Sequence, residues 1–294
     1  MKRSFTIHLF TAIVILIALA ATTNCYSQKK RKEKLPKGTV RLEYNFMENK
    51  PISYLTSTKI VENMEFEGQS FQVNVNAELG CTVKATGKQD KNLKLEVRVD
   101  TLYQYVETPQ GSSGGNIKDV QGKVFNMLLS PFGSEVDLSE AEKITFTVEG
   151  SGETNMAQSF LNYFPDLPKK PVKPGDTWVS NDTVQSKSAS STTNIIVQSD
   201  NKFTGIEKID GVDCAKITAT LTGSRDQKAQ NMGMDIHTKG NFTGTEELYF
   251  AVKEGHYIKQ VVTTKMNGTL DISGDQNMSF PVVMDMVSTN ALRK

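Results

Sequence analysis

The feature of this 294-residue chain that most limits its fold is an alternation of apolar and polar residues that recurs along most of its length. Between residues 93 and 99, for example, Leu93, Leu95 and Val97 are separated by charged side chains. Because successive side chains of a β-strand point to opposite faces, this alternation is typical of a sheet with one buried face and one wet face. The same pattern marks residues 40–46, 71–79, 124–129, 134–138, 215–221, 245–251, 257–264 and 280–287. The sequence therefore predicts a mainly β fold, with long antiparallel strands in an open, curved sheet or half-barrel.

Short segments rich in glycine and proline separate these strands. Residues 130–133 (SPFG) suit a type I turn and predict a hairpin, and further turns are expected at residues 254–255 (EG) and 267–268 (NG). Residues 110–116 (QGSSGGN) are expected to form a mobile loop.

One segment departs from the alternation. Within residues 154–164, Met156, Phe160 and Phe164 recur at helical spacing, which predicts one short helix packed on the sheet. Prolines then follow at a spacing of three: Pro165, Pro168, Pro171 and Pro174. Because proline lacks an amide hydrogen and fixes φ, this run predicts a stiff connector. It divides the chain into β halves at residues 39–168 and 169–294, and one continuous sheet or two domains would both fit this division.

The first 27 residues predict export. Lys2 and Arg3 precede an apolar stretch at residues 9–21, which is shorter than the roughly 20 apolar residues that a transmembrane helix needs. A basic start followed by a short apolar stretch is the pattern of a secretory signal peptide.

Two cleavage positions compete at the end of this signal. Cleavage after Ser27 would release a soluble protein that begins at Gln28, and this is the expected site. Cleavage before Cys25 would leave a lipid-modified cysteine, but Asn24 stands where a lipoprotein signal prefers a small residue. Lipidation of Cys25 is therefore kept as the alternative.

The new N-terminus would begin with a basic tether at residues 28–38. Its positive residues are Lys29, Lys30, Arg31, Lys32 and Lys34. Such a run can dock on an anionic surface, each charge contributing about 1 kcal/mol, or it can be a solvated spacer. Loss of the signal changes the formal net charge from +1 to −1 because Lys2 and Arg3 leave with it. The rest of the chain thus has no overall positive field, and nucleic acid is not an expected partner.

Two cysteines remain if Cys25 is removed, and the exported compartment permits a disulfide between them. Cys81 shares the parity of the apolar residues in its strand and is expected to face the core. Cys214 shares the parity of polar neighbours. A Cys81–Cys214 disulfide and two buried free thiols are both left open.

Few residues suit catalysis. His237 and His256 each follow a carboxylate by two residues, which places each pair on one face of a strand, and we interpret them as surface pairs. The HExxH motif of zinc proteases is absent from the sequence. An enzyme, a metal site and a cofactor are therefore not expected.

The apolar face of the last predicted strand is rich in methionine. The candidate ligand-binding residues are Met278, Phe280, Val282, Met284 and Met286 on that strand, together with Met232 and Met234 on another segment. Because an unbranched thioether adapts its shape, such side chains suit an acyl chain or an apolar peptide. The alternative is that they fill gaps in the sheet core.

Motifs on either side of the proline connector carry a resemblance to a known family. They are KPGDTW at residues 173–178, a Gly-x-Val strand that ends in Pro-x-Gly at residues 122–133, and GVDCAKI at residues 211–217. On these motifs the chain resembles a family of uncharacterised exported β-rich proteins of Gram-negative envelopes. It is more distantly similar to the lipoprotein-localisation carriers, whose open half-barrel has an apolar concave face. The resemblance implies a location in the periplasm or at the outer membrane, and it implies no catalytic residues.

The sequence therefore favours an exported, non-catalytic envelope protein that binds a lipid-like or apolar ligand in a concave β face. The alternative is a structural or assembly subunit of an outer-membrane-associated complex, whose edge strands pair with a partner. The expected partners are accordingly a lipid-like ligand or another envelope protein.

Overall fold

The structure is a computed structural model that describes residues 38–66, 68–148, 152–187, 191–231, 233–274 and 277–293. The expected signal peptide, Cys25, the five basic residues of the tether and Met232 lie outside the described residues.

Within these residues the chain forms fourteen β-strands, one short α-helix and two 3₁₀ turns. In chain order the elements are β1 (Ile52–Phe66), β2 (Gln69–Gln89), β3 (Asn92–Thr108), β4 (Gly111–Asn116), β5 (Val124–Leu129), β6 (Glu135–Asp137), β7 (Thr145–Val148), β8 (Gly152–Asn155), α1 (Met156–Phe160), β9 (Thr177–Lys187), β10 (Ser191–Ile209), β11 (Val212–Asn231), β12 (Met234–Ala251), β13 (His256–Ser273) and β14 (Met278–Leu292). The 3₁₀ turns are Lys118–Val120 and Ala141–Lys143.

Most of these strands belong to one antiparallel sheet of twelve. Its spatial order is β6-β5-β3-β2-β1-β14-β13-β12-β11-β10-β9, with β4 also paired to β3, while β7 and β8 form a separate hairpin. The two ends of this order do not pair, so the sheet is open. The predicted fold class, mainly β with long antiparallel strands in an open sheet and one short helix, is confirmed.

The two halves on either side of the proline run share this sheet, because β1 pairs with β14 in its middle. The register runs from Tyr54 opposite Leu292 to Met64 opposite Val282. On the inner side of this seam, Tyr54 stacks on Tyr257 with 4.4 Å between ring centroids, and its hydroxyl donates to the Tyr257 carbonyl at 3.1 Å. Of the two arrangements that the sequence left open, the structure has one continuous sheet.

The sheet curls around a concave face. In a flat sheet, β3 and β9 would lie eight strand spacings apart, which is about 38 Å. Residues of both strands nevertheless line a single cavity. The accumulated twist and curvature of the long strands therefore bring the two sides of the sheet toward each other.

Buried side chains on the concave face form two main clusters along the strands. Along β1, Tyr54 belongs to the first cluster, whereas Ile60 and Met64 belong to the second. The first cluster is rich in aromatic rings: Tyr44, Phe46, Phe125, Phe160, Tyr163, Phe164, Phe203, Phe250 and Tyr257. Because α1 and the segment after it supply several of these rings, they cover this end of the sheet.

The helix is shorter than the sequence predicts. The structure has α1 at Met156–Phe160 rather than 154–164, because residues 154 and 155 complete β8 and Leu161 is already extended at ψ 121°. Asn162 then adopts a left-handed φ of 55°. Pro165 disfavours a helical conformation at the residue before it. The predicted inward side chains Met156, Phe160 and Phe164 are nevertheless buried.

Residues 40–46 show the predicted alternation of burial but form no strand. Leu42, Tyr44 and Phe46 are buried, yet the backbone makes single contacts to three separate segments. Val40 and Val172 form an isolated bridge, the Tyr44 amide donates to the Pro131 carbonyl, and the Asn45 amide donates to the Gly255 carbonyl. The proline connector thus supplies one partner of this extended segment through Val172.

The prediction of a mobile loop at residues 110–116 is wrong, because Gly111–Asn116 forms the edge strand β4. Residues 111–115 also match the G-x-S-x-G letters of serine hydrolases. That motif requires a sharp turn from a strand into a helix, whereas β4 is followed by a 3₁₀ turn and another strand. Ser113 is therefore not in the position of such a nucleophile.

The predicted turn at residues 254–255 is confirmed, but the prediction of a turn at residues 267–268 is wrong. Gly268 lies in the middle of β13, directly opposite Gly240 of β12. A Cβ atom built on Gly268 would lie 2.2 Å from the Lys239 carbonyl oxygen. This glycine therefore allows two strands to approach closely rather than to reverse direction.

The glycine pair gives a test of the fold. We expect Gly268→Ala to destabilise the protein by about 1–3 kcal/mol, because the added methyl group must displace the β12 backbone. Gly274→Ala is the matched control, since its Cβ would meet Met234 at an ordinary 3.4 Å. Urea unfolding of both variants measures the difference, and equal midpoints would contradict the close approach of the strands.

The β1–β14 seam gives a second test. Fragments 28–168 and 169–294 should each fail to fold alone, because each would expose one of the two strands that meet at the centre of the sheet. Co-expressed, they should associate and recover the circular dichroism of the full chain. Independent cooperative unfolding of either fragment would show that the halves are separate domains.

Candidate functional site

A cavity of about 290 Å³ lies on the concave face of the sheet. Its walls come from β1–β3 and β9–β14, and the segment at residues 159–166 covers part of it. Known ligand pockets begin at about 300 Å³, and an apolar cavity of about 150 Å³ already holds benzene. The space is therefore large enough for a small organic molecule or part of a longer one.

The strand register builds the cavity wall from rows of residues that lie opposite each other. The first row contains Glu62, Met284, Met266, Phe242 and Gly223, and the second contains Ile60, Met286, Thr264, Gly244 and Leu221. The third row contains Thr58, Ser288, Val262, Glu246 and Ala219. The first two, which we call the methionine rows, supply much of the apolar surface.

The structure brings some of the predicted methionine face to this cavity. Met284 and Met286 line it and also belong to the second core cluster. Phe280 and Val282 belong to that cluster without lining the cavity, and Met278 packs against it. Met234 is half-buried and also packs there, while Met232 lies outside the described residues.

Among the described residues that line the cavity, Arg225 of β11 is the basic one, and only 5% of it is exposed. Its Nη1 lies 3.8 Å from Met284 Sδ, and its Nη2 donates to Gln227 Oε1 at 2.5 Å. To reach Met284 on β14, the side chain crosses β12 and β13. Gly240 and Gly268 stand opposite Arg225 on those two strands and leave its path free of side chains.

Glu62 of β1 is the buried acid whose charge acts on Arg225. It is 2% exposed and lies opposite Met284, outside the cavity lining. Burial raises the pKa of Glu62 to about 8, although the Arg225 charge acts to lower it. Among the described residues no ion pair within 4.0 Å joins the two groups, and Glu62 Oε2 has no hydrogen-bond partner.

Three acids, Asp166, Asp182 and Glu246, also line the cavity. Ala219 lies opposite Glu246 and six residues from Arg225, which places Glu246 about 20 Å from Arg225 along the strands. Asp182 is nearer, because it lies opposite Val197, whose other partner Gly223 is two residues from Arg225. Asp166 lies at the solvent edge, but the surrounding protein still desolvates its carboxyl and raises its pKa to about 7. Burial also raises the pKa of Asp182 and of Glu246.

Both cysteines lie outside the cavity lining and are free, buried thiols. Cys81 Sγ lies 3.2 Å from Tyr163 Oη in the first core cluster, and burial raises the pKa of this thiol to about 12. Cys214 Sγ lies 3.6 Å from the Val212 carbonyl oxygen. The possible Cys81–Cys214 disulfide is therefore not formed in this structure.

The two histidines have structural partners. His237 Nε2 lies 3.1 Å from Asp226 Oδ1 on the neighbouring strand, and His256 stacks on Phe46 with 6.0 Å between ring centroids. Within the described ranges, no group of three or more His, Cys, Asp or Glu side chains is placed to hold a metal ion. The same residues contain no helix of the length and apolar character that a bilayer crossing requires.

Arg225 is a lining residue that the sequence analysis missed, and Gln227 and Glu62 are buried polar residues that interact with it. A signal for them exists, because Arg225 and Gln227 continue the parity of Ile217, Ala219 and Leu221. In the same way, Glu62 stands between Ile60 and Met64 at an apolar position. A charged residue that keeps the parity of a buried face therefore indicates a buried charge.

Comparison with known proteins assigns no family to the chain. No family model and no curated protein matches it. Similar solved structures include the COG4313 outer membrane channel from Pseudomonas putida F1, at 8% identity and a TM-score of 0.26, covering 91% of this chain and 100% of that chain. Pseudomonas aeruginosa OccK2 (OpdF) has 8% identity and a TM-score of 0.26, and the match covers 84% of this chain and 99% of that chain. A DUF1329 family protein from Desulfovibrio piger ATCC 29098 has 12% identity and a TM-score of 0.13, and the match covers 79% of this chain and 83% of that chain. Scores this low support no conclusion about family or function.

The buried acid predicts a pH dependence of stability. Because the pKa of Glu62 is higher in the folded chain than its ordinary 4.5, the folded state binds the proton more tightly. Its contribution is present below about pH 4.5 and is lost as the pH rises through about 8. Glu62→Gln should therefore gain stability relative to the wild type between about pH 5 and pH 9, by about 1.4 kcal/mol per unit of pKa difference.

Urea unfolding across this pH range measures the effect. Glu65→Gln is the control, because Glu65 is an exposed residue three positions along the same strand. Its stability should follow the wild type at every pH. A Glu62→Gln curve parallel to the wild type would show that Glu62 is not held neutral by the fold.

Proposed function

We propose that this chain is an exported, non-catalytic envelope protein that binds a lipid-like or apolar ligand on its concave face. The observation that carries this proposal is the cavity of about 290 Å³ with its methionine rows. The signal-peptide pattern at residues 1–27 and the resemblance to exported envelope proteins support the location.

The extent of the cavity lining favours a chain-like ligand. The lining includes Arg225 and Glu246, which lie about 20 Å apart along the strands, and apolar side chains stand between them. A hydrocarbon chain can follow an apolar wall of that length. Met284 and Met286 can adjust their rotamers along such a chain because their side chains are unbranched.

The groups around the cavity favour binding over catalysis. Neither histidine nor either free thiol of the described chain is in the lining. The lining does contain acids, but their raised pKa values follow from burial. A non-catalytic site remains the simpler proposal for these residues.

An assembly subunit is the second candidate, and the edge strand β9 favours it. Among the described strands, β9 pairs with β10 on one side only, and Val179 in it is 58% exposed. An unpaired edge can accept a strand from another chain. Recovery of a defined protein from detergent-solubilised envelopes, and its loss with Val179→Lys, would support this function over ligand binding.

Native mass spectrometry of protein purified from envelopes tests the ligand proposal directly. A co-purified apolar molecule, released on denaturation, is the expected result. Titration with a fluorescent fatty-acid probe gives the affinity, and Ala77→Phe should block it, because Ala77 lines the cavity from β2. Absence of both co-purified ligand and probe binding would overturn the proposal.

Methionine substitutions separate a ligand-lined wall from a packed core. Met284→Ala and Met286→Ala should each weaken probe binding but cost less than the roughly 2–5 kcal/mol typical of a fully packed core site. The reason is that one side of each thioether already faces the cavity. Unfolding free energies and probe affinities are measured together.

Met127→Ala is the matched control, because Met127 is 2% exposed in the first core cluster and outside the cavity. It should lose more stability than either cavity variant and keep the wild-type probe affinity. If Met284→Ala is as destabilising as Met127→Ala and the wild type binds no probe, the methionines are core residues only.

A further inference from the structure

We infer that the Arg225 end of the cavity binds the carboxylate of a long-chain fatty acid, whose hydrocarbon chain lies along the methionine rows. This inference rests on the proposed function and names the class of ligand for the same cavity. It assigns the head group to Arg225 and Gln227 and the chain to the apolar wall.

The first support is a set of buried donors without acceptors. Within the described part of the chain, Arg225 Nε has no hydrogen-bond partner, although 95% of the residue is out of solvent contact. Gln227 is 2% exposed and is not itself a lining residue, and its Nε2 also lacks a partner among the described residues. The orientation of the Gln227 amide is fixed, because its oxygen accepts from Arg225 Nη2. Unpaired buried donors of this kind cost about 1–3 kcal/mol each unless an acceptor completes them.

The chemistry of the missing acceptor follows from these donors. A carboxylate offers two oxygens and no hydrogen, so it can accept from both groups without a donor clash. The planar guanidinium also matches carboxylate geometry and binds it more strongly than it binds a neutral oxygen. An alcohol, an amide or an ester would satisfy fewer of these contacts.

The second support is the distribution of charge along the cavity. Arg225 is the basic residue among the described lining residues, and the carboxyl of Glu246 lies about 20 Å from it along the strands. An anionic head group is attracted by the guanidinium and gains nothing from a carboxyl group, so a fatty acid prefers to place its head group at Arg225 rather than at Glu246. Glu62 forms no ion pair with Arg225, which leaves the guanidinium available to a ligand.

The third support is the path that the fold keeps open for Arg225. Gly240 and Gly268 stand opposite it on the next two strands, so no side chain of that row blocks the guanidinium. It therefore reaches Met284, which belongs to the methionine rows and to the cavity lining. The cation and the apolar wall meet at this residue, as the two parts of an amphiphile require.

The test compares cis-parinaric acid, a fluorescent fatty acid, with its methyl ester. The ester keeps the chain and removes the charge, so the ratio of the two dissociation constants reports the head-group contact alone. The full exported chain is used as wild type, Arg225→Met, Arg225→Lys and Lys228→Met. Lys228 is the matched control, because it lies on β11 in an exposed position.

We expect the wild type and Lys228→Met to bind the acid at least about tenfold more tightly than the ester, which is a difference of about 1.4 kcal/mol. Arg225→Met should bind acid and ester equally, with the ester affinity unchanged. Arg225→Lys should keep part of the preference. The preference should persist from about 50 to about 500 mM salt, because a buried contact is screened far less than a surface one.

The outcomes separate the two proposals. If the wild type binds acid and ester equally, the head-group site is wrong while the apolar cavity stands. If the wild type binds neither, the proposed function itself fails. A preference that survives in Arg225→Met, or that disappears at high salt, would place the carboxylate elsewhere on the protein. If Arg225→Met does not fold, the ratio of the acid and ester dissociation constants in the wild type and in Arg225→Lys still decides whether Arg225 binds the carboxylate.

Discussion

The pairing of β1 with β14 is the interaction on which both the sheet and the cavity depend. These strands lie in the middle of the strand order, so their ladder joins the two halves of the chain into one curved surface. Each cavity row crosses the same seam, with Glu62 and Ile60 on one side and Met284 and Met286 on the other. The fold and the candidate site are therefore stabilised by the same backbone hydrogen bonds.

The polar groups inside this sheet carry a cost that packing alone does not explain. Removing a charge from water is unfavourable by several kcal/mol unless good partners replace the water. Among the described residues, Arg225 has a neutral amide and a thioether as neighbours within bonding distance, and Glu62 has one oxygen without a partner. An apolar residue in place of Arg225 would stabilise the sheet more simply, which is the physical ground for assigning this guanidinium to a ligand.

The sequence predicts the local pattern of this fold well and its long-range pairing poorly. Alternation places Met284 and Met286 on the buried face, because strand parity is a property of neighbouring residues. It does not say that Gly268 will face Gly240, so a glycine needed for close strand approach was interpreted as a turn. Arg225 was missed for a similar reason, since its contact with Met284 on β14 is known only once the register is known. The sequence predicts too long a helix because the helical spacing of apolar residues continues beyond Phe160, whereas the conformation of Asn162 and the presence of Pro165 prevent the helix from continuing.

The long sequence separation across the central seam has a consequence for how the molecule is made. Thr58 and Ser288 hydrogen-bond at 2.9 Å although they are 230 positions apart. Contacts this distant form slowly, because a long loop must close before they contribute. As the chain is synthesised, β1 emerges long before β14 and presents an exposed edge until β14 arrives, a state prone to wrong pairing and aggregation. The cavity therefore comes into existence only when this long-range pairing is made.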